Sequence, residues 1–274
     1  MIEAFQYEFM QNALAAGILA CVACGIIGSL VVVNRLVFLA GGIAHCAYGG
    51  IGLAFYAGLP VLPTTLGFSV IASTIMAGVT HRQEERSDTV IGAMWAAGMA
   101  LGVILLDLTP GYNVDLMSYL FGSILTVSHE DLLFIALVDV LAIILTWIFY
   151  RDFLSVSFDR EFSRSKGVPV DLLHYLLPAL TALTVVMIIR MVGLILVIAL
   201  LTIPPYLAER RSRSLIGMMV LSSLLGMFFC VSGLLLSYAF NLTSGASIIA
   251  IGAVCFFVDR GIDVLKNTRL HFRS

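Results

Sequence analysis

His45 and Cys46 stand side by side in an apolar, helix-length segment that runs from Arg35 to Gly52. An ionisable side chain in the middle of such a segment is costly in a lipid bilayer, so it usually faces a protein interior or a pathway. An imidazole and a thiolate together suit a borderline-soft cation such as zinc. The pair is therefore a candidate metal site. The structural alternative is a hydrogen-bonded histidine beside a cysteine that packs as a small hydrophobe.

Glycines surround His45 at helical spacing. Gly41, His45 and Gly49 stand at i, i+4 and i+8, and Gly52 follows three residues later, so the four share one face of a helix. Small residues let a second backbone come close. We predict that the imidazole is the one group that reaches into a seam between closely packed helices.

The composition places this segment in a membrane protein. Of the 274 residues, 60% are hydrophobic and 12% are charged, whereas about 25% of the residues in a soluble domain are charged. No polar stretch is long enough for a soluble domain, so we expect one polytopic, all-α transmembrane domain over 1–274. The five cysteines lie inside apolar runs, which argues against a disulfide framework.

Nine apolar runs are each about long enough to cross the hydrocarbon core. A weaker run near 114–127 is bounded by acidic residues, and we interpret it as a re-entrant or short helix that must be buried in protein. The nine predicted spans are 10–33, 36–58, 61–80, 89–108, 132–150, 174–190, 192–208, 215–239 and 244–259.

Basic residues set the orientation of these spans. If the N-terminus lies outside and the C-terminus in the cytoplasm, all of the 15 Lys and Arg residues except Arg190 fall on the cytoplasmic side. The opposite side carries an acidic set, namely Glu3, Glu8, Asp107, Asp115, Glu130 and Asp131.

The longest cytoplasmic loop, 151–173, contains a predicted short helix. Ser157 is the expected N-cap, and Gly167 and Pro169 end the helix. Phe158 and Phe162, four residues apart, give it one apolar face. This face suits either the lipid surface or a cytoplasmic partner.

Two further polar residues lie in or beside apolar runs. Asp139 lies well inside the fifth run, where it is either a packing residue or part of a polar path. Arg190 lies at the outer end of the sixth run, where it either extends to the lipid headgroups or serves as a gate.

Several familiar chemistries are absent from the sequence. Neither Lys166 nor Lys266 ends a G-x-x-x-x-G-K-[ST] loop, so the chain does not bind ATP in the P-loop manner. His129-Glu130 begins like a zinc-protease helix, but Leu133 stands where the second histidine is required. No basic patch with interleaved aromatic residues indicates a nucleic-acid partner. We therefore expect no enzyme activity from this chain alone.

Five stretches, in order, resemble the permease subunit of the ABC importers for zinc, manganese or iron. The second span carries Arg35, a Phe-Leu-Ala-Gly segment and Ala-His-Cys, with Gly49-Gly50 where the family has Pro-Gly. The other four are Arg86–Gly92, Asp115–Leu125, Phe158–Gly167 and Val192–Pro204.

The resemblance implies a homodimer with a pathway at its two-fold axis, in a bacterial or archaeal inner membrane. Two cytoplasmic ATPase subunits would bind ATP, and an extracytoplasmic binding protein would deliver the metal; no tightly bound cofactor is implied. His45 would line the pathway and Cys46 would tune it, because manganese-type members tend to have Asp where this chain has a softer thiol that favours zinc. The ATPase-coupling residues would be Phe158, Asp159, Arg160, Glu161, Phe162 and Gly167.

Two other classes of function compete with this interpretation. A secondary transporter driven by an ion gradient needs several intramembrane carboxylates, of which Asp139 is one. A membrane-embedded metalloenzyme needs three protein ligands and an open water position, and His45 is the only histidine near mid-membrane.

Overall fold

The computed structural model describes residues 8–82, 87–110 and 127–271, and these form an α-helical bundle. The predicted segment near 114–127 lies almost wholly outside the described residues. The helices are α1 (Glu8–Val33), α2 (Val37–Ala57), α3 (Val61–Arg82), α4 (Ser87–Asp107), α5 (His129–Ile148), α6 (Tyr150–Phe158), α7 (Arg160–Ser165), α8 (Val170–Glu209), α9 (Leu215–Phe240) and α10 (Ser244–His271).

Membrane-length helices confirm the predicted all-α membrane fold. In the described part of the chain, eight helical segments are long and apolar enough to cross a bilayer, and the predicted run 192–208 corresponds to a shorter apolar helix, Leu196–Glu209. Large apolar side chains point outward along the bundle, among them Leu133 at 73% exposure and Trp147 at 80%. An apolar exterior of this kind is suited to lipid contact.

Helix α8 reverses direction at Gly193. A straight helix of 40 residues would be about 60 Å long, yet both ends of α8 lie beside the same residues. His174 and Phe158 line one cavity, while Phe158 and Glu209 line the next. Gly193 has φ 77° and ψ 165°, a conformation that essentially only glycine adopts. The chain therefore crosses the bundle, turns at Gly193 and returns to the same end.

Helices α2 and α4 approach each other through glycines. A Cβ atom on Gly52 would collide with the backbone of Gly102, and one on Gly49 would lie 2.9 Å from the carbonyl oxygen of Gly98. The predicted close approach is thus made by α4 of the same chain for Gly49 and Gly52. No atom lies within 4 Å of a Cβ built on Gly41.

Charged residues sort to the two ends of the bundle. Glu8 and His129 form an exposed ion pair with a 3.0 Å Oε1···Nε2 distance at one end. At the other end, Arg210 and Arg211 pair with Asp259, and Arg210 also pairs with Asp263. These bonds join the end of the returning half of α8 to α10.

The glycine contacts generate a stability prediction. Gly52→Ala should destabilise the protein by about 1–3 kcal/mol, because the added methyl group pushes the α4 backbone away from α2. Gly67→Ala is the matched control: Gly67 is helical, and nothing lies within 4 Å of its Cβ position, so the change should be neutral or stabilising. Thermal unfolding in detergent measures both. Equal unfolding temperatures would contradict the close approach.

Candidate functional site

His45 is the one opening in a tightly packed stretch of α2. From 39 to 52 every residue is buried except His45, which is partly exposed. Its Nδ1 atom is buried and has no hydrogen-bond partner among the described residues. A buried polar atom without a partner is costly, and a bound ion or water removes that cost. The imidazole is therefore both accessible and chemically unsatisfied.

Trp95 of α4 orients the imidazole. The two rings are stacked with their centroids 4.1 Å apart and an interplanar angle of 13°. The indole N–H of Trp95 donates to Met99 Sδ at 3.1 Å, and Phe38 lies beside the indole with centroids 6.2 Å apart. The stack covers one face of the His45 ring and leaves its edge as the reactive side.

Cys46 faces α4 as well as α3. Its side chain is buried at 4% exposure, in one buried cluster with Ala72 and Met76 of α3 and Ile91 of α4. A Cβ atom on Gly98 would lie 2.6 Å from its sulfur. Within the described ranges, no group of three or more His, Cys, Asp or Glu residues is placed to hold a metal ion.

Asp139 and Arg190 are not brought into this arrangement. Asp139 is buried at 4% exposure on α5, and neither carboxylate oxygen has a hydrogen-bond partner among the described residues. Helix α5 packs against α1 and α8, whereas His45 faces α4. The side chain of Arg190 lies outside the described part of the structure.

The predicted ATPase-coupling segment, about 157–168, spans the end of α6 and the whole of α7. Asp159, not Ser157, caps α7: its carboxylate accepts the Phe162 N–H at 2.9 Å. The prediction for Ser157 was wrong because its hydroxyl donates to Phe153 O within α6. Gly167 has φ 83° and follows the end of α7, as predicted.

Two aromatic side chains stand out from this segment. Phe158 is 84% exposed and Phe162 is 57% exposed. Phe153, by contrast, is buried and fixes α6 to the bundle. An exposed aromatic pair at the polar end of a membrane protein is a surface for a partner protein or for the membrane surface.

A cavity of about 480 Å³ separates the coupling segment from the inner end of α2. Its lining includes Asn34, Arg35 and Phe38 on one side and Arg160 and His174 on the other. Phe38 thus contacts both the cavity and the Trp95 ring. Neither His45 nor Trp95 is among the residues that line the cavity, so Phe38 is the side chain that lies between the two.

Sequence reasoning missed Trp95 and His174. Both lie within apolar runs where spacing alone assigns them to lipid or core. Only the packing of α2 on α4 places Trp95 on the imidazole, and only the fold of the 151–173 segment places Arg160 beside His174.

Comparisons with known proteins match nearly the whole chain. A family model described as the ABC 3 transport family matches residues 6–260. An uncharacterised membrane protein of Synechocystis sp. is 50% identical, covering 94% of this chain and 92% of the relative. The manganese transport system membrane protein MntC of Listeria monocytogenes is 32% identical, covering 92% of this chain and 90% of its own length.

A solved structure has the same fold. PsaBC from Streptococcus pneumoniae, in complex with Fab, contains a chain with a TM-score of 0.84 and 32% identity, with 94% of this chain and 93% of that chain covered.

The ring stack predicts a change in chemical reactivity. In Trp95→Ala, diethyl pyrocarbonate should modify His45 about threefold faster or more, because the covered ring face is released. Trp147→Ala is the matched control, since Trp147 is 80% exposed on α5 and should leave the rate unchanged. Mass spectrometry of the labelled peptides measures the rate, with the exposed His129 as an internal reference. Equal rates in the two variants would contradict the stack.

Proposed function

The chain belongs to the ABC 3 transport family, and we propose that it is the membrane-spanning subunit of an ATP-driven importer of divalent transition-metal ions. One observation carries the proposal: His45 is the one partly exposed residue in the buried stretch 39–52 of a membrane helix, and its Nδ1 has no hydrogen-bond partner among the described residues. A metal ion is the cargo that such a nitrogen binds. The relative from Listeria is named for manganese transport, which supports a metal cargo.

ATP hydrolysis belongs to a separate subunit. The chain is a multi-pass inner-membrane protein without a P-loop, and family permeases are not catalytic. We propose that cytoplasmic ATPase subunits dock on the end of α6 and on α7, through Phe158 and Phe162. Asp159, Arg160, Glu161 and Gly167 shape the segment that presents these two rings.

A second copy of the chain completes the pathway. One imidazole per chain makes two at a two-fold axis, and the open side of His45 is available for such a pairing. A site with few protein ligands holds its ion weakly, which suits a carrier that must release its cargo. An extracytoplasmic metal-binding protein delivers the ion at the opposite end from α7.

Two lines of support point to different transported ions. The thiol of Cys46 next to His45 favours zinc over manganese, which is the choice we propose. The names of relatives such as MntC support manganese, and the Cys46 side chain is itself buried against α3 and α4. Direct competition between the two ions decides between them.

Transport follows an alternating-access cycle. Closure of the ATPase dimer moves α7, and the seam between the two copies opens to the other side. Asp139 and Arg190 are assigned to the pathway or its gate as further proposals. For Asp139 the support is that neither carboxylate oxygen has a hydrogen-bond partner in the part of the chain that the structure describes.

An ion-gradient-driven secondary transporter is the second candidate. Its specific support is the same buried carboxylate, because intramembrane acids are typical of proton-coupled carriers. Uptake by the chain alone in a proton gradient, without any ATPase, would favour this candidate and overturn the ABC proposal.

Removal of the imidazole tests the pathway. In liposomes that contain the assembled complex, His45→Ala should lower zinc and manganese uptake by about a hundredfold, the scale of losing a metal ligand or its support. His129→Ala is the matched control, because His129 is exposed at the outer end. Assembly with the ATPase should be intact in both variants. Normal uptake by His45→Ala would show that His45 is not part of the pathway. In the wild type, faster uptake of manganese than of zinc would refute the proposed zinc preference.

Introducing a negative charge at Phe158 tests whether the coupling segment is the docking surface for the ATPase. Phe158→Asp should weaken co-elution of the ATPase by about tenfold or more, since a central aromatic contact is replaced by a desolvated carboxylate. Phe240→Asp introduces the same charge at a residue that is 69% exposed at the opposite end of the bundle and should leave co-elution unchanged. Full co-elution with Phe158→Asp would show that the ATPase docks elsewhere.

A further inference from the structure

A series of polar contacts connects the coupling segment to the interior of the bundle. A guanidinium nitrogen of Arg160, on α7, lies 3.0 Å from His174 Nδ1 on α8. The other ring nitrogen, Nε2, lies 2.8 Å from the carbonyl oxygen of Ala77 on α3. His174 is buried at 9% exposure, and Ala77 is fully buried.

The chemistry of the donors and acceptors fixes the direction of these two hydrogen bonds. A guanidinium has only N–H donors, so His174 Nδ1 must accept from Arg160. The neutral ring then carries its proton on Nε2 and donates it to Ala77 O. His174 thus needs both of its nitrogens to connect the two elements, and an apolar side chain in its place leaves both neighbours without this contact.

A parallel set of contacts lies at the surface. Arg164 of α7 donates to Asp171 at 2.6 Å, and His81 Nε2 lies 3.7 Å from the same carboxylate. Half or more of the Arg164 and Asp171 side chains is exposed. Exposed ion pairs of this kind contribute little, so the buried route through His174 is the one that can transmit force.

The far end of the route leads to the metal pathway. Ala77 precedes the last turn of α3, and Met76 beside it packs in one buried cluster with Cys46 of α2 and Ala182 of α8. A Cβ atom on Gly50 would lie 2.8 Å from Thr65 Cα, so α3 is also held against α2 near its outer end. A displacement of α3 therefore passes to the helix that carries His45.

We propose that Arg160 and His174 are positioning residues that transmit the movement of α7 to α3. The proposal rests on the proposed function, because it assumes that an ATPase moves α7. It assigns His174 a role in coupling hydrolysis to transport, separate from ATPase docking and from metal binding.

The test compares ATP consumed with metal moved in liposomes that hold the complete complex and its binding protein. His174→Leu should still allow ATP hydrolysis while raising the ATP consumed per ion by about tenfold or more, the scale of losing hydrogen bonds to a charged donor. His174→Gln should stay near the wild-type ratio, because its amide keeps one acceptor and one donor. Arg164→Gln is the matched control on α7 and should not change the ratio.

A double variant supplies the second criterion. Arg160→Met should act like His174→Leu, and Arg160→Met/His174→Leu should be no worse than either single variant, since both break one route. The proposal is overturned if hydrolysis and uptake fall in parallel in His174→Leu, if Gln fails to restore the ratio, or if the two effects add. A wild-type complex that imports no metal with ATP would instead refute the proposed function.

Discussion

The close approach of α2 and α4 is the constraint on which the rest of the structure depends. The two backbones can meet at this distance because α2 has glycine at 52 and α4 has glycine at 98 and 102, where any Cβ would occupy the space of the other helix. Lipid provides no hydrophobic drive for helices to associate, so shape at these positions determines the pairing. That pairing brings the Trp95 ring onto His45. The stretch 39–52 of this membrane helix is thereby buried, with His45 as its one partly exposed residue.

The inner end of the bundle is held together by polar bonds rather than by close glycine packing. There polar bonds join α7 to α8, α8 to α3, and the end of α8 to α10. Asp159 caps α7 and Phe153 anchors α6, so the exposed rings of Phe158 and Phe162 are presented on a short, firmly held element. A rigid surface that carries apolar groups into an aqueous layer is well suited to receive a partner and to transfer its displacement.

Hydropathy and charge predicted the fold because a bilayer allows few solutions. Runs of apolar residues must be helices there, and the all-α arrangement, the break near Gly193 and the short helix around Phe162 were each predicted from the sequence. The motif resemblance also predicted the family. Pairing of helices was not predicted: the glycines that flank His45 indicated a close neighbour, but nothing in their spacing identified it as α4. Trp95 and His174 depend on such contacts between distant segments, which a single sequence does not reveal. The cap at Asp159 is instead a local hydrogen bond from the Phe162 N–H, and the competing candidate Ser157 bonds to Phe153 O inside α6.

The reversal at Gly193 has a consequence for the shape of the protein in its bilayer. At 1.5 Å per residue the returning helix Leu196–Glu209 rises about 21 Å, less than the hydrocarbon thickness of about 30 Å. The turn is therefore sunk beneath the outer lipid headgroups, where bare peptide groups cannot face acyl chains. Leu194, Leu196 and Val197 are all fully enclosed by neighbouring helices, and they wrap this submerged bend in protein.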